Sequence, residues 1–154
     1  MGSVSGMVSI TDDGPTTTAA LRAEPGKVCM SGATEGYAIL SLPLAGYHTG
    51  LDASALHITQ VEFTVETPPS SGVVPQVTSN LEGFDLMSAG EPVSIVSSST
   101  KRASLSDFQN AGVTFDQTQL IAFGLAANAT EHYDFCLRDL KFLDASGGEV
   151  QPTP

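Results

Sequence analysis

The stretch Glu131-His-Tyr-Asp-Phe-Cys-Leu-Arg-Asp-Leu-Lys-Phe-Leu-Asp144 decides the fold. Aromatic and aliphatic residues alternate with polar ones along it, the period of two that a half-buried strand requires. The alternation changes phase midway: Phe135 and Leu137 hold one parity, Leu140 and Phe142 the other. A regular strand cannot bury both pairs on one side. The sequence therefore predicts a β-bulge at Arg138-Asp139, where one extra residue restores the phase and turns both charges toward a groove or an ion.

Upstream, the same period recurs in short runs. Ala38, Leu40, Leu42 and Leu44 share one face of a strand, with Tyr37, Ile39 and Ser41 on the other. In the next strand, His57 to Glu66, Val61, Phe63 and Val65 point inward and Glu62, Thr64 and Glu66 outward. Gln76, Thr78 and Asn80 lie opposite Val77. Gln119 to Ala127 places Ile121, Phe123 and Leu125 against a face of small residues, Ala122, Gly124 and Ala126, that invites close approach of another layer or a ligand. Asp12-Asp13-Gly14-Pro15, Pro68-Pro69-Ser70-Ser71-Gly72, Glu82-Gly83 and Ala89-Gly90-Glu91-Pro92 punctuate the runs as turns. Val93 to Ser98 reads as a strand, and Lys101 to Phe115 as irregular with one helical turn near Ser106. No segment sustains a 3.6-residue period. Eight to ten short strands at this spacing define an all-β chain, an antiparallel two-sheet β-sandwich.

Composition bounds the function. The 154 residues carry 17 acidic and 6 basic side chains, a net charge of −11, which excludes nucleic acid as a partner because phosphate recognition needs a Lys/Arg footprint. No apolar stretch of about 18 residues is present, so no membrane insertion is expected. Charged residues make up only 15%, and the polar remainder is largely Ser, Thr, Gly and Pro, as in extracellular β-proteins. Cys29 and Cys136 each sit inside a strand-like run. A disulfide between them would close a long loop, stabilise the fold by about 4–5 kcal/mol in the chain-entropy model and place the protein outside the cytoplasm; the alternative is two separately buried thiols. Met-Gly-Ser-Val-Ser-Gly has no secretory-signal pattern and reads as a start placed before an excised mature domain. Residues 1–26 are expected to hold the first strands, 27–146 the sandwich core, and 147–154, rich in Gly, Pro and Thr, the beginning of a linker to other domains.

Three segments carry a resemblance to a known family: Asp52-Ala-Ser-Ala-Leu-His-Ile-Thr-Gln-Val-Glu-Phe63; Leu105-Ser-Asp-Phe108 with Phe115-Asp-Gln-Thr-Gln-Leu-Ile-Ala-Phe-Gly-Leu125; and Tyr133-Asp-Phe-Cys-Leu-Arg-Asp-Leu-Lys-Phe142. Together, over about residues 27–145, they resemble the jelly-roll carbohydrate-binding modules and related galactose-binding-like domains of secreted bacterial proteins. The resemblance implies two face-to-face antiparallel sheets, glycan binding on the concave sheet or loop tips, frequent structural Ca²⁺, and a secreted or cell-surface location. The chain departs from the pattern in having no Trp, the stacking platform of many such modules.

Sugar recognition needs an apolar ring face beside planar polar groups. Tyr37 and Tyr47 are the aromatic candidates, Gln76, Thr78 and Asn80 the polar row, and Arg138 a flanking residue from the last strand. For Ca²⁺, Asp12 near the N-terminus is expected to approach Asp139 if the end strands pair. There is no G-x-S-x-G elbow, HExxH or phosphate loop. The expected function is a non-catalytic carbohydrate-binding module for a glycan or polysaccharide; the alternative is a structural or adhesive spacer of a cell-surface protein.

Overall fold

The computed structural model describes residues 9–13, 18–24, 27–33, 37–43, 52–79, 82–120, 122–127 and 132–150. In chain order the strands begin with β1 (Ser9–Asp13), β2 (Thr18–Glu24), β3 (Lys27–Ala33), β4 (Tyr37–Pro43), β5 (Gln60–Glu66), β6 (Val73–Ser79) and β7 (Glu82–Ser88). They continue with β8 (Glu91–Pro92), β9 (Ser99–Ser104), β10 (Phe108–Asn110), β11 (Val113–Thr114), β12 (Ala122–Ala127), β13 (His132–Leu143) and β14 (Glu149–Val150). Two antiparallel sheets result. An eight-stranded sheet runs β1-β4-β12-β6-β7-β10-β11, with β8 beside β7; a six-stranded sheet runs β2-β3-β13-β5-β9, with β14 beside β13. The strands expected from the sequence form a jelly-roll β-sandwich.

The core lies between the sheets. Phe63 of β5 and Phe123 of β12, both fully buried, meet across it with ring centroids 5.0 Å apart, and Phe108 packs edge-on to Phe123 at 6.4 Å. All seven Phe are buried, as is Tyr133. That disposition removes them from any sugar-stacking surface.

β13 behaves as its sequence demands. It pairs β5 in register at Arg138↔Thr64 and again at Lys141↔Glu62, three steps on one strand against two on the other. The extra residue is Asp139, at φ 55°. Phe135, Leu137, Leu140 and Phe142 are consequently all buried on one side. Asp tolerates this left-handed conformation better than most residues because its short polar side chain bonds locally. Across the strand pair β3–β13, Cys29 and Cys136 are direct register partners and form a disulfide.

Several local expectations change. Val93 to Ser98 is not a strand; Ile95 alone bridges to Val73. The segment read as irregular contains β9, an edge strand along β5 that carries Lys101 and Arg102 instead of an apolar face, as edge strands often do. Its helical turn is a 3₁₀ turn at Leu105–Asp107. A second 3₁₀ turn, Gln117–Gln119, takes the first residue of the strand expected from Gln119, and β12 begins at Ala122. The hairpin expected at Glu82-Gly83 turns earlier, since Ser79 already pairs with Glu82. Glu149–Val150 pairs with β13 and so belongs to the sheet, not to a linker, while β1 and β2 are integral to the two sheets.

Two hairpins share one turn chemistry. Ala89-Gly90 joins β7 to β8 and Ala111-Gly112 joins β10 to β11, all four residues having positive φ. Two positive-φ residues in a two-residue loop match the twist of the flanking strands, and glycine supplies the second without steric cost.

Candidate functional site

Antiparallel register places directly opposed residues on the same face of a sheet. Reading the eight-stranded sheet across its strands gives one line: Ser9↔Ser41, Ser41↔Gly124, Gly124↔Gln76, Gln76↔Asp85, Asp85↔Gln109 and Gln109↔Thr114. Every member is polar or glycine. The residues between them on the same strands, such as Leu40, Leu125, Val77, Phe84 and Phe108, are buried in the core. From Gln76 through Asp85 and Gln109 to Thr114 the line lies on the outward face of β6, β7, β10 and β11, while Gly124, its β12 member, is buried.

A cleft of about 540 Å³ opens along it, lined by Gln76, Thr78, Asp85, Gln109 and Asn110, with Ile39, Met87 and Pro92 as apolar wall. That volume lies within the ~300–1,000 Å³ usual for small-ligand sites. Gln76 Nε2 donates to Asp85 Oδ1 at 2.6 Å, fixing two planar groups side by side. The bond leaves Gln76 Oε1 and Asp85 Oδ2 as neighbouring acceptors. Asn110 Nδ2 donates to the Gly83 carbonyl at 3.3 Å and Gln109 Nε2 to the Ser106 carbonyl at 3.4 Å, so their amide oxygens are also left to accept. The cleft is acceptor-rich, and its titratable groups are Glu82 and Asp85.

The expected site residues divide. Gln76 and Thr78 line the cleft. Tyr37 occupies a β4 position of the same parity as Ile39, opposite Asp13 of β1, and its side chain lies outside the described residues, as do Tyr47 and Asn80 altogether. Arg138 does not join them: β13 is in the six-stranded sheet, and Arg138 faces outward on the opposite side of the molecule. There it donates through Nε to Glu66 at 2.9 Å and through Nη1 to Asp139. Asp12 and Asp139, expected to approach one another around Ca²⁺, stand on strands of different sheets. Among the described residues no group of three His, Cys, Asp or Glu gathers as metal ligands. Asp85, Gln109 and Asn110 escaped the sequence reading. Hairpin pairing outward from Ser79↔Glu82 would have put Asp85 opposite Gln76, but Gln109 lies on a three-residue strand too short to show a period.

The six-stranded sheet is electrostatically different. All six lysines and arginines of the chain fall on its strands: Arg22 on β2, Lys27 on β3, Lys101 and Arg102 on β9, Arg138 and Lys141 on β13. Glu66 bridges two of them, accepting from Lys27 Nζ at 3.2 Å and from Arg138 Nε. These hydrogen bonds, that of Lys27 first, hold the Glu66 carboxyl below its ordinary range. Arg102 makes a two-nitrogen contact with Glu62, at 2.8 and 3.1 Å.

No protein-family model and no curated protein sequence matches the chain. Solved structures do. A family 11 carbohydrate-binding module from Clostridium thermocellum, in complex with a β-1,3-1,4-mixed-linked tetrasaccharide, superposes with a TM-score of 0.59 at 16% identity, covering 92% of each chain. The family 30 carbohydrate-binding module of a cellulosomal cellulase from the same organism gives 0.61 at 12% identity, covering 90% of this chain and 91% of that one. An exo-β-agarase gives 0.58 at 13% identity over 99% of this chain. The chain spans only 24% of the agarase, and 23% of another large protein that it matches. These likenesses establish the architecture: a jelly-roll sandwich of the form that carbohydrate-binding modules have.

Proposed function

We propose that this domain is a non-catalytic carbohydrate-binding module whose ligand lies across the strands of the eight-stranded sheet, in the Gln76–Asp85 cleft. The observation that carries the reading is the polar row Gln76, Asp85 and Gln109 across β6, β7 and β10, which opens into a cleft whose side chains present acceptors to incoming hydroxyls. A sugar ring offers many O–H donors. The Gln76 Oε1 and Asp85 Oδ2 pair suits two adjacent hydroxyls, and hydrogen bonds to the charged carboxylate are the stronger ones. With Glu82 and Asp85 as its titratable groups, the cleft favours a neutral glycan over an anionic one. Tyr37 and Tyr47 are the aromatic side chains left to supply a stacking face, since the Phe residues and Tyr133 are in the core. The disulfide supports a secreted domain, and the small share of the agarase that the chain spans supports a module attached to a larger secreted protein.

Affinity electrophoresis and calorimetry against neutral polysaccharides, including mixed-linked β-glucan and agarose, test the proposal. Retention by at least one neutral glycan is expected, with none by polyuronates. Absence of binding to every neutral glycan at protein concentrations near 100 µM, about −5.5 kcal/mol on the affinity scale, would overturn it in favour of a spacer domain.

A further inference from the structure

A second cleft, of about 500 Å³, opens on the outer face of the six-stranded sheet, on the far side of the sandwich from Gln76. Register again explains its composition. One line crosses the sheet as Lys27↔Arg138↔Thr64↔Thr100 and the adjacent one as Arg22↔Cys29↔Cys136↔Glu66. The first line crosses β13 at Arg138, the last residue in register before the bulge.

The chemistry of this cleft is the inverse of the first. Arg22, Lys27 and Arg138 supply cations, and Thr64, Ser99 and Thr100 supply hydroxyls. Glu66 and Asp134 balance part of the charge, with Arg22 3.6 Å from Asp134. The result is a nearly neutral site on a molecule of net charge −11. Arg138 spends Nε on Glu66 and Nη1 on Asp139; its Nη2 has no partner among the described residues. The guanidinium is pinned in place on two sides and lines the cleft. Beside it, Thr64 and Thr100 hydroxyls bond one another at 2.8 Å. Only one of the two protons is used in that bond, leaving the other to donate. Thr67, at the cleft rim, holds a strained φ of 51° and is fastened there through its hydroxyl to the Asp134 carbonyl and through its N–H to Ser98 Oγ. Strained residues held by several bonds recur at ligand sites.

We propose that this cleft is a second saccharide site, selective for a sugar carrying one oxyanion, a carboxylate or a sulfate. Arg138 Nη2 receives the oxyanion while the Thr64–Thr100 hydroxyl pair and Ser99 meet the ring hydroxyls. The charge balance sets the charge of the ligand. With Arg22, Lys27 and Arg138 set against Glu66 and Asp134, the cleft has one cation in excess and so takes one oxyanion. The site is independent of the neutral-glycan cleft and stands if that assignment fails.

Amide chemical-shift titration of the intact domain tests it, with galacturonate, galactose 6-sulfate, galactose and acetate each raised to about 10 mM, above the ~1 mM regime of weak binding. Expected are saturable shifts at Thr64, Glu66, Thr100 and Arg138 with either acidic sugar, and none at Gln76 or Asp85. The two acidic arms identify which oxyanion is preferred. Arg138→Gln should weaken the response by about tenfold, the loss of one charge-assisted hydrogen bond, and raised salt should weaken it further. Thr100→Val, at an exposed edge position, should weaken it with the rest of the spectrum unchanged, which separates loss of the site from loss of the fold. Silence with both acidic sugars, an equal response to galactose or acetate, or an undiminished response in both variants would overturn the proposal.

Discussion

The two outer faces of this sandwich are built from the same backbone geometry and carry opposite chemistry. The eight-stranded sheet has acidic residues on β1, β7 and β8 and not one lysine or arginine on any of its strands; the six-stranded sheet holds every cation in the chain. One face offers a row of acceptors beside carboxylates. The other offers guanidinium and hydroxyl donors among paired charges. The ion pairs of the six-stranded sheet add little to stability, about 0–1 kcal/mol for each exposed pair. The segregation is the basis on which we propose a neutral glycan for the cleft over Gln76 and Asp85 and an acidic sugar for the one over Arg138.

The largest effect should come from the bond that belongs to one face only. Replacing both Cys29 and Cys136 by Ala is expected to lower unfolding stability by about 4–5 kcal/mol, the loop-closure value for so long a loop, measured by urea denaturation. Neutral-glycan affinity of the folded variant should be unchanged; a parallel loss would show that the two faces are not independent. Next is Asp85→Ala, expected to weaken neutral-glycan binding by about 1.5–3 kcal/mol, the scale of a hydrogen bond to a charged group, by calorimetry. Arg138→Gln should leave that affinity alone, and the opposite pattern would break the assignment of faces. Smaller again is the bulge. Asp139→Val should lower stability by about 1–2 kcal/mol because a β-branched residue resists the left-handed conformation, whereas Asp139→Gly should be close to neutral; a urea midpoint for each decides it.

The smallest effect is a pH slope. Glu66 has its folded pKa depressed, by Lys27 first and Arg138 second, so the unfolded chain takes up the proton before the folded one. The contribution is therefore present above the ordinary Glu range and lost as pH falls through the depressed folded value. Asp144, held down by Ser146 and the Gly148 N–H, and Asp116, held down by Thr118, act in the same sense. Glu66→Gln should flatten the acid side of a stability–pH profile relative to the parent protein, and an unaltered slope would remove Glu66 from the account.

Much of the fold was legible because burial leaves a period in the chain. The phase change between Leu137 and Leu140 predicted the bulge at Arg138-Asp139, and the parity of β5 named Val61, Phe63 and Val65 as core. Thr64 shows a limit: its outward parity was right, yet it is only 5% exposed because neighbouring outward side chains, Thr100 among them, cover it. β9 and β10 were missed for a different reason. An edge strand of Ser, Thr, Lys and Arg and a strand of three residues carry no apolar alternation to read.

The candidate site was half legible. Gln76 and Thr78 were found because they oppose Val77, but the same reasoning joined Arg138 to them. Alternation states whether a side chain points into the core or away from it. It does not state from which of two sheets the side chain leaves, and the outward residues of both sheets look alike in a linear sequence. The sequence alone determined that the chain is a β-sandwich with a kinked last strand, a Phe-rich interior and too few cations for a nucleic-acid partner. Only the tertiary pairing decided that Cys29 meets Cys136, that Gln76 faces Asp85, and that Arg138 lies on the other side of the molecule. Those are long-range register relations, and register is fixed by how whole strands pack against one core.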